Sequence, residues 1–227
     1  MSLYTISDLH LSLSCDKPMD IFYGWNNYTE RLKANWERLV SVDDTVVVPG
    51  DISWALKLED TLADLKFIDA LPGKKIFLKG NHDLWWNTMK KNNEFFEKNG
   101  LKTVQCIFNS CVEAEGVGIC GSRGWFFDKP EAEKKVILRE AGRLDTSISA
   151  AENAGLKPIV FMHYPPVYAD SKCDEILDVL KKHGIETVYH GHIHGSGMHR
   201  AVPECDGITF KLVSCDCIDF TPYRIIL

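Results

Sequence analysis

The sequence predicts an α/β fold in which most strands are parallel and two sheets pack together between outer helices. Short β-branched runs alternate with amphipathic helical patterns along most of the 227 residues, and this alternation is typical of parallel sheet. One sheet holding all the strand candidates would be crowded, which favours two. The length and the 45% hydrophobic content allow one large domain or two small ones, each with a buried core.

The strands are predicted from short runs rich in Val, Ile, Phe, Tyr and Thr. Closely spaced strands within 103–121 and within 208–227 are expected to pair antiparallel, and the others parallel. The predicted strands cover residues 3–7, 45–49, 75–79, 103–108, 111–114, 117–121, 158–162, 185–190, 208–214 and 223–227.

The fourth predicted helix has the clearest signals. Pro130 suits its first turn and Gly155 its C-terminal cap, while Gly100 and Gly184 would close the third and fifth helices. Apolar residues of the fourth helix recur at steps of three and four and share one face: Ile137, Ala141, Leu144, Ile148 and Ala151. The predicted helices cover 28–40, 58–70, 88–99, 130–154 and 173–183.

Charge and hydropathy disfavour several classes of partner. The net charge is −6 with acids and bases interspersed, which disfavours nonspecific binding to nucleic acid or to anionic membrane. No apolar run approaches the ~20 residues of a membrane span. The first residues lack a basic region followed by an apolar one, so we expect no signal peptide and a cytoplasmic location.

The eight cysteines include no CxxC pair, and without a secretion signal we expect free thiols. Cys106, Cys120 and Cys215 lie in strand-like runs and are interpreted as small core residues. A metal-binding role for Cys215 and Cys217 is the less favoured alternative.

Residues that can bind metal ions follow five of the predicted strands. In open α/β sheets, ligands bind outside the carboxyl ends of the strands. Here those ends carry Ser7–His10, Pro49–Asp51, Gly80–Asp83, His163–Pro166 and His190–Gly195.

Each of these segments alone has an ordinary structural interpretation, as a turn, a loop or a buried histidine. His192 and His194 are two residues apart and would point the same way in an extended chain, as would Asp8 and His10. The hypothesis of a metal site depends on seven candidate ligands at successive strand ends: Asp8, His10, Asp51, Asn81, His163, His192 and His194.

The segments DLH, GD, GNHD, H and GHIH, in this order between residues 8 and 194, resemble the motifs of the calcineurin-like metallophosphoesterase superfamily. The resemblance implies a single domain over 1–227 with a four-layer α/β/β/α sandwich of two mixed β-sheets flanked by helices. It also implies two divalent metal ions, and the oxygen and imidazole ligands suit Mn²⁺, Fe or Zn²⁺. One ion would be held by Asp8, His10, Asp51 and His194, and the other by Asp51, Asn81, His163 and His192.

The resemblance further implies that Asp51 bridges the ions and that a hydroxide between them attacks a phosphodiester or a small phosphomonoester. His82 would be the general acid for the leaving oxygen or a hydrogen-bond donor to phosphate. Asn81 would be a neutral ligand that adds no negative charge to a site for an anion. Gly80 would allow a sharp backbone turn. The expected partner is a phosphorylated small molecule.

Two positions depart from the protein phosphatase branch of the superfamily. Trp54 stands where that branch has an acid that orients the catalytic histidine, and Ala55 where it has an arginine for phosphate. A Ser/Thr protein phosphatase is therefore disfavoured, and what orients His82 is left open. The alternative of a non-catalytic scaffold is disfavoured because such relatives typically lose ligands, and all are present here.

Several tryptophans lie close to the motifs and have two interpretations. They pack long loops over the sheet ends, or they form an aromatic pocket for a base or an apolar leaving group. On the second interpretation, Trp54, Trp85 and Trp125 contact substrate, and Arg123 meets a second anionic group. The segments 11–27 and 121–130 are expected to set specificity.

Overall fold

The computed structural model describes residues 1–125 and 134–227. Within them, two large sheets lie face to face, and each is covered on its outer side by helices. The predicted four-layer α/β/β/α arrangement is therefore confirmed.

The helices occupy the predicted segments. Predicted helix 58–70 divides into a 3₁₀ turn over Leu58–Thr61 and an α-helix, and the predicted start at Pro130 lies outside the described residues. An unpredicted 3₁₀ helix covers Gly195–Arg200. The α-helices are α1 (Tyr28–Leu39), α2 (Leu62–Ala70), α3 (Met89–Lys98), α4 (Lys134–Asn153) and α5 (Asp174–Lys182).

The first sheet contains β1 (Leu3–Thr5), β2 (Thr45–Pro49), β3 (Lys74–Leu78), β4 (Val104–Cys106) and β13 (Tyr223–Ile225). Its order is β13-β1-β2-β3-β4. All neighbours are parallel except β13, which pairs antiparallel with β1.

The second sheet contains β5 (Val112–Ala114), β6 (Val117–Ser122), β7 (Lys157–Met162), β10 (Thr187–His190), β11 (Glu204–Cys205) and β12 (Ile208–Leu212). Its order is β11-β12-β10-β7-β6-β5, with antiparallel strands only at the two edges. A separate hairpin joins β8 (Val167–Tyr168) and β9 (Ser171–Lys172).

Strand direction corrects part of the sequence prediction. The antiparallel prediction is right for β5 with β6, but β4 pairs parallel with β3 because α3 carries the chain back between them. Similarly, β12 pairs parallel with β10, and β13 joins the other sheet. The strands β8, β9 and β11 were missed because two residues are too few to show a period.

Alternating side chains in the strands explain the three apolar layers. In β2, Val47 points to the second sheet, whereas Val46 and Val48 point to the helices α1–α3. In β7, Phe161 packs between the sheets, and Val160 packs against the layer of α4 and α5. Each sheet is thus buried on both faces, as parallel sheets require.

Two sequence expectations about the chain as a whole can be compared with the structure. All eight cysteines lie within the described residues and are free, and Cys106, Cys120 and Cys215 are buried as predicted. No helix in the described part of the chain is long and apolar enough to cross a membrane.

Lys75, in β3, is completely buried and closes the C-terminus of α2. Its ammonium donates to the carbonyl oxygens of Leu71 at 2.5 Å, Gly73 at 2.8 Å and Asp69 at 3.3 Å. These carbonyls lack the helical partners that interior residues have, and a cation there also opposes the helix dipole. Burial lowers the pKa of Lys75 to about 8, so the ammonium is still mainly protonated at pH 7.

We predict that Lys75→Met lowers the free energy of unfolding by about 2–4 kcal/mol, because buried carbonyls would lose a charged donor. Urea denaturation followed by circular dichroism measures this change. The matched control is Lys74→Met, at the exposed neighbouring position of β3, with an expected change within about 0.5 kcal/mol. Equal stabilities for the two variants would contradict the capping role of Lys75.

Candidate metal centre

The predicted ligands come together where the carboxyl ends of the two sheets meet. Beyond β1, Ser7 forms a parallel bridge to Ser214, and its N–H donates to the Val213 carbonyl at 2.8 Å. This contact brings the loop after β1 in the first sheet against the segment after β12 in the second. The loops after β1, β2, β3, β7 and β10 therefore share one edge.

Two groups of side chains there have ligand atoms within 4.8 Å of one another. They are Asp8 with His10 and His194, and Asp8 with Asp51 and His163. Asp8 Oδ1 lies 3.1 Å from His194 Nε2, and Asp51 Oδ2 lies 3.4 Å from His163 Nε2. Either group could hold a metal ion.

The amide of Asn81 links the other predicted ligands to the second group. Its Oδ1 lies 2.7 Å from His163 Nε2 and 2.9 Å from His192 Nδ1. All seven candidate ligands thus belong to one continuous cluster.

The backbone at several ligands differs from the extended chain that the sequence suggested. Asp8, His10, Asp51 and His192 have φ values of 62°, 45°, 53° and 72°, in the left-handed region. The strands end before these residues, so the backbone need not stay extended. Each side chain can therefore point in its own direction. Such conformations cost of order 1–3 kcal/mol each and persist where the surroundings enforce them.

Glycines allow the ligand loops to approach one another closely. A Cβ at Gly80 would lie 2.1 Å from Asp51 Oδ1, and one at Gly191 would lie 2.2 Å from Asp8 Oδ2. The φ of Gly80 is not positive, so the position needs glycine because Asp51 lies against it.

Burial and charge set the protonation states of the histidines. Burial lowers the pKa of His163 to about 3 and holds that of His10 well below its usual value, although Asp8 opposes both shifts. Burial would also lower the pKa of His194, but Asp8 and Asp216 raise it to about 10. His10 and His163 are therefore neutral, the form that binds metals, whereas His194 must lose a proton to bind one.

Two carboxylates share the same buried volume. Burial, followed by repulsion from Asp8 and Asp83, raises the pKa of Asp51 well above its usual value. Burial would also raise the pKa of Asp8, but the neighbouring His194 lowers it overall. Two buried aspartates this close are costly without a compensating cation.

The residues present fit divalent metal ions. His10 Nε2 lies 3.4 Å from His194 Nε2, and within the described part of the chain the buried His10 Nδ1 has no hydrogen-bond partner. Imidazole nitrogens gathered around buried carboxylates form a donor set typical of Mn²⁺, Fe and Zn²⁺ sites.

Two aspartates outside the predicted ligand set position the site. Asp83 is completely buried and accepts from the N–H groups of Gly80 at 2.7 Å, Asp51 at 2.9 Å and Ile52 at 2.9 Å. Burial raises the pKa of Asp83, and these N–H donors oppose the rise. The sequence feature that could have identified Asp83 as a site residue was its position in GNHD, directly after His82.

Asp216 is the second of these aspartates. Its carboxylate lies 2.8 Å from His194 Nδ1 and accepts from the N–H of Gly195 at 3.0 Å. A carboxylate on the far nitrogen of a ligand histidine is a common arrangement around metals, because it fixes the ring and its tautomer. In the sequence, Asp216 lies between Cys215 and Cys217, outside the ligand motifs. Its distance along the chain from His194 gave no reason to connect the two residues.

The environment of His82 is aromatic. The ring of Trp54 lies 4.3 Å from that of His82 and stacks on His10 at 4.8 Å. Burial lowers the pKa of His82, and Asp8 opposes this shift. The position that holds an acid in the protein phosphatase branch thus supplies a stacking surface here.

The other predicted substrate contacts lie in different places. Trp85 is 1% exposed, and its Nε1 donates to Asp83 at 3.0 Å, so the prediction that it contacts substrate is corrected to a packing and positioning role. Trp125 is half-buried beside Tyr164. Arg123 lines a cavity at the ends of β3 and β6.

A family model identifies the chain independently of this geometry. The model for calcineurin-like phosphoesterases matches residues 1–196, a range that includes all seven candidate ligands. No curated protein matches this chain.

Solved structures with the same fold cover nearly the whole chain. The protein of unknown function AQ665 from Aquifex aeolicus is 18% identical with a TM-score of 0.52, covering 98% of this chain and 95% of its own. The phosphopantetheinyl hydrolase PptH from Mycobacterium tuberculosis is 15% identical with a TM-score of 0.51, covering 99% and 95%. TT1561 of Thermus thermophilus is 12% identical with a TM-score of 0.59, covering 98% and 97%. At these identities the likeness shows the fold alone.

We predict that Asp216→Asn weakens Mn²⁺ binding by about 10–100-fold, because His194 would lose the carboxylate that orients its ring. Isothermal titration of metal-free protein measures the affinity. Asp219→Asn is the matched control, since Asp219 is exposed and its carboxylate pairs with Arg31 at the surface, where such pairs contribute little. Unchanged affinity in Asp216→Asn would show that His194 does not need this support.

Proposed function

Because the chain belongs to the calcineurin-like phosphoesterase family, we propose that it hydrolyses a phosphodiester or a small phosphomonoester with the help of two divalent metal ions. The observation that carries this proposal is the convergence of seven oxygen and nitrogen ligands at one edge of the two sheets. The ligands come from five loops far apart in sequence, and packing alone does not require them to meet.

The contacts of Asp51 support its assignment as the bridging ligand. One oxygen, Oδ2, lies 3.7 Å from His10 Nε2 and 3.4 Å from His163 Nε2, so it faces ligands of both proposed ions. The other oxygen, Oδ1, accepts from the N–H of His82 at 2.8 Å, which holds the carboxylate in place. Asp8, His10 and His194 would complete one ion's ligands, and Asn81, His163 and His192 the other's.

When bound, such ions would polarise phosphate oxygens and lower the pKa of water toward ~7. The chain's own contribution is to orient the ligands and to restrict access of solvent. Trp25, 3% exposed, packs 6.0 Å from His10 and 5.8 Å from His194, while Trp54 covers His10 from another side.

His82 is the residue that we assign to the leaving oxygen or to a phosphate oxygen. Its backbone is fixed by the bond to Asp51, and its ring is held between Trp54 and His10, with ring centroids 4.3 Å and 5.6 Å away. Because burial favours the neutral ring, one ring N–H remains for donation to the substrate.

The proposed substrate is a phosphorylated small molecule. The acidic chain, with its net charge of −6, disfavours nucleic acid. The name of the Mycobacterium tuberculosis neighbour, a phosphopantetheinyl hydrolase, is consistent with hydrolase chemistry on this fold. The substrate that this name implies is not assigned to the present chain. Eight free thiols are consistent with the cytoplasm as the proposed compartment.

Two alternatives remain distinguishable from the leading proposal. A non-catalytic scaffold has no need for strained backbone at four ligand positions, and it would carry little metal after purification without chelators. A Ser/Thr protein phosphatase is disfavoured because Trp54 and Ala55 replace the acid and the arginine of that branch.

We predict that Asp51→Asn lowers the hydrolysis of bis-p-nitrophenyl phosphate in Mn²⁺ by more than about 100-fold, since both ions would lose a shared anionic ligand. Release of p-nitrophenol measures the rate, and metal analysis measures the occupancy. Asp43→Asn, in the exposed turn before β2, is the control. A rate within about tenfold of the wild type would contradict the bridging role.

We predict that His82→Ala lowers kcat about 10²–10⁴-fold while the metal content persists, since this ring is assigned to the substrate. The exposed His199 supplies the control variant His199→Ala. Loss of metal from His82→Ala would instead make His82 a ligand, and an unchanged kcat would remove it from the reaction.

A further inference from the structure

A cavity lies at the ends of β3 and β6, beside segments that lead to the candidate metal centre. It has a volume of about 550 Å³, within the range of small-molecule sites. Lys79, on its wall, lies two residues before the ligand Asn81. Arg123, on the same wall, accepts through its carbonyl from the N–H of Tyr164 at 2.9 Å, next to the ligand His163. Both walls thus continue directly into metal-binding loops.

The polar lining of this cavity has an excess of positive charge. Lys79 and Arg123 come from the strand ends, and Arg143 comes from α4. Arg143 forms an ion pair with Glu140, whereas Lys79 and Arg123 have no ion pair or side-chain hydrogen bond with any described residue. Burial, followed by repulsion from Arg123 and Arg143, lowers the pKa of Lys79, whereas Asp83 and Glu140 oppose this shift. Among the described residues, Arg123 also lies over the Trp125 ring, 5.5 Å from its centroid. The cavity lining thus has three cationic side chains and one carboxylate.

The rest of the lining offers an apolar wall and one unsatisfied acceptor. Trp86, Met89, Ile107 and Phe108 supply the apolar surface. Glu140 is 1% exposed, and across residues 1–125 and 134–227 its Oε2 has no hydrogen-bond partner. A buried carboxylate oxygen without a donor is costly, and a hydroxyl or amide N–H of a ligand would satisfy it.

We propose that this cavity binds the non-reacting end of the substrate, and that this end carries a second anionic group, a carboxylate or a phosphate. Lys79 and Arg123 would bind the anion, the apolar wall would cover the linking atoms, and Glu140 would accept from a hydroxyl or amide on the linker. The inference rests on the proposed function in taking the occupant to be the phosphoester that the metal centre hydrolyses.

The test uses p-nitrophenyl alkyl phosphodiesters of graded chain length whose alkyl group ends in methyl, carboxylate or phosphate. The wild type should prefer an anionic ester over the matched methyl ester by at least about 10-fold in kcat/KM, because charge-assisted hydrogen bonds form only with the anion. Comparison of the kcat/KM values for the carboxylate and phosphate esters identifies which anion the cavity favours.

The variants Lys79→Met and Arg123→Met should each reduce this preference to about threefold or less. Arg139→Met, at an exposed position on the same helix as Arg143, should retain it. Thermal unfolding of each variant establishes that it is folded. A wild type without any preference, or a preference that survives both cavity variants, would overturn the proposal.

The experiments distinguish an error in the cavity proposal from an error in the proposed function. Hydrolysis of all esters at similar efficiency would remove the cavity proposal and leave the phosphoesterase. If no ester is hydrolysed, the proposed function fails, and binding of non-hydrolysable alkyl phosphonates to Mn²⁺-loaded protein tests the cavity. Tighter binding of the carboxylate-terminated phosphonate, lost in Arg123→Met, would support it, and equal affinities would overturn it.

Discussion

The carboxylate of Asp83 ties together the two loops that carry Asp51 and Asn81. It accepts N–H groups from Gly80, after β3, and from Asp51 and Ile52, after β2. The pairing of β2 with β3 ends at Pro49 and Leu78, so the buried carboxylate joins the two loops where that ladder has stopped. Without this anchor, the left-handed backbone at Asp51 would be held mainly by the loop after β1, whose His10 N–H donates to the Asp51 carbonyl at 2.9 Å.

Close approach between the loops makes a compact ligand cluster possible. In the absence of metal ions, the same closeness is energetically unfavourable because like charges are buried together. Gly80 and Gly191 let backbone and carboxylates pack where a Cβ would collide. The result places Asp8 and Asp51 together with buried histidine rings, an arrangement that a divalent cation would relieve. The fold therefore concentrates strain and like charge at one edge, while the interior layers remain well packed and apolar.

Both sheets contribute to the candidate metal centre and to the neighbouring cavity. The metal ligands come from the central strands of both sheets, and the neighbouring cavity opens between β3 and β6, farther from the centre. The tryptophans lie in three different places: Trp54 contacts the imidazoles of His10 and His82, Trp86 lines the cavity, and Trp85 is buried with its N–H on Asp83. Neighbours in the sequence thus take different roles because successive residues of a loop face different directions.

The sequence by itself determined the α-helices and the longer strands, the layer order through the family resemblance, and the residue types gathered at the strand ends. It could do so because hydrophobic period and ligand chemistry are local properties of the chain. Only the tertiary structure decided that β4 runs parallel to β3, that Asp216 supports His194, that Trp85 is buried, and that Gly80 is required by contact with Asp51. These features depend on which distant segments touch, and a contact between residues far apart in sequence leaves no periodic trace in either of them.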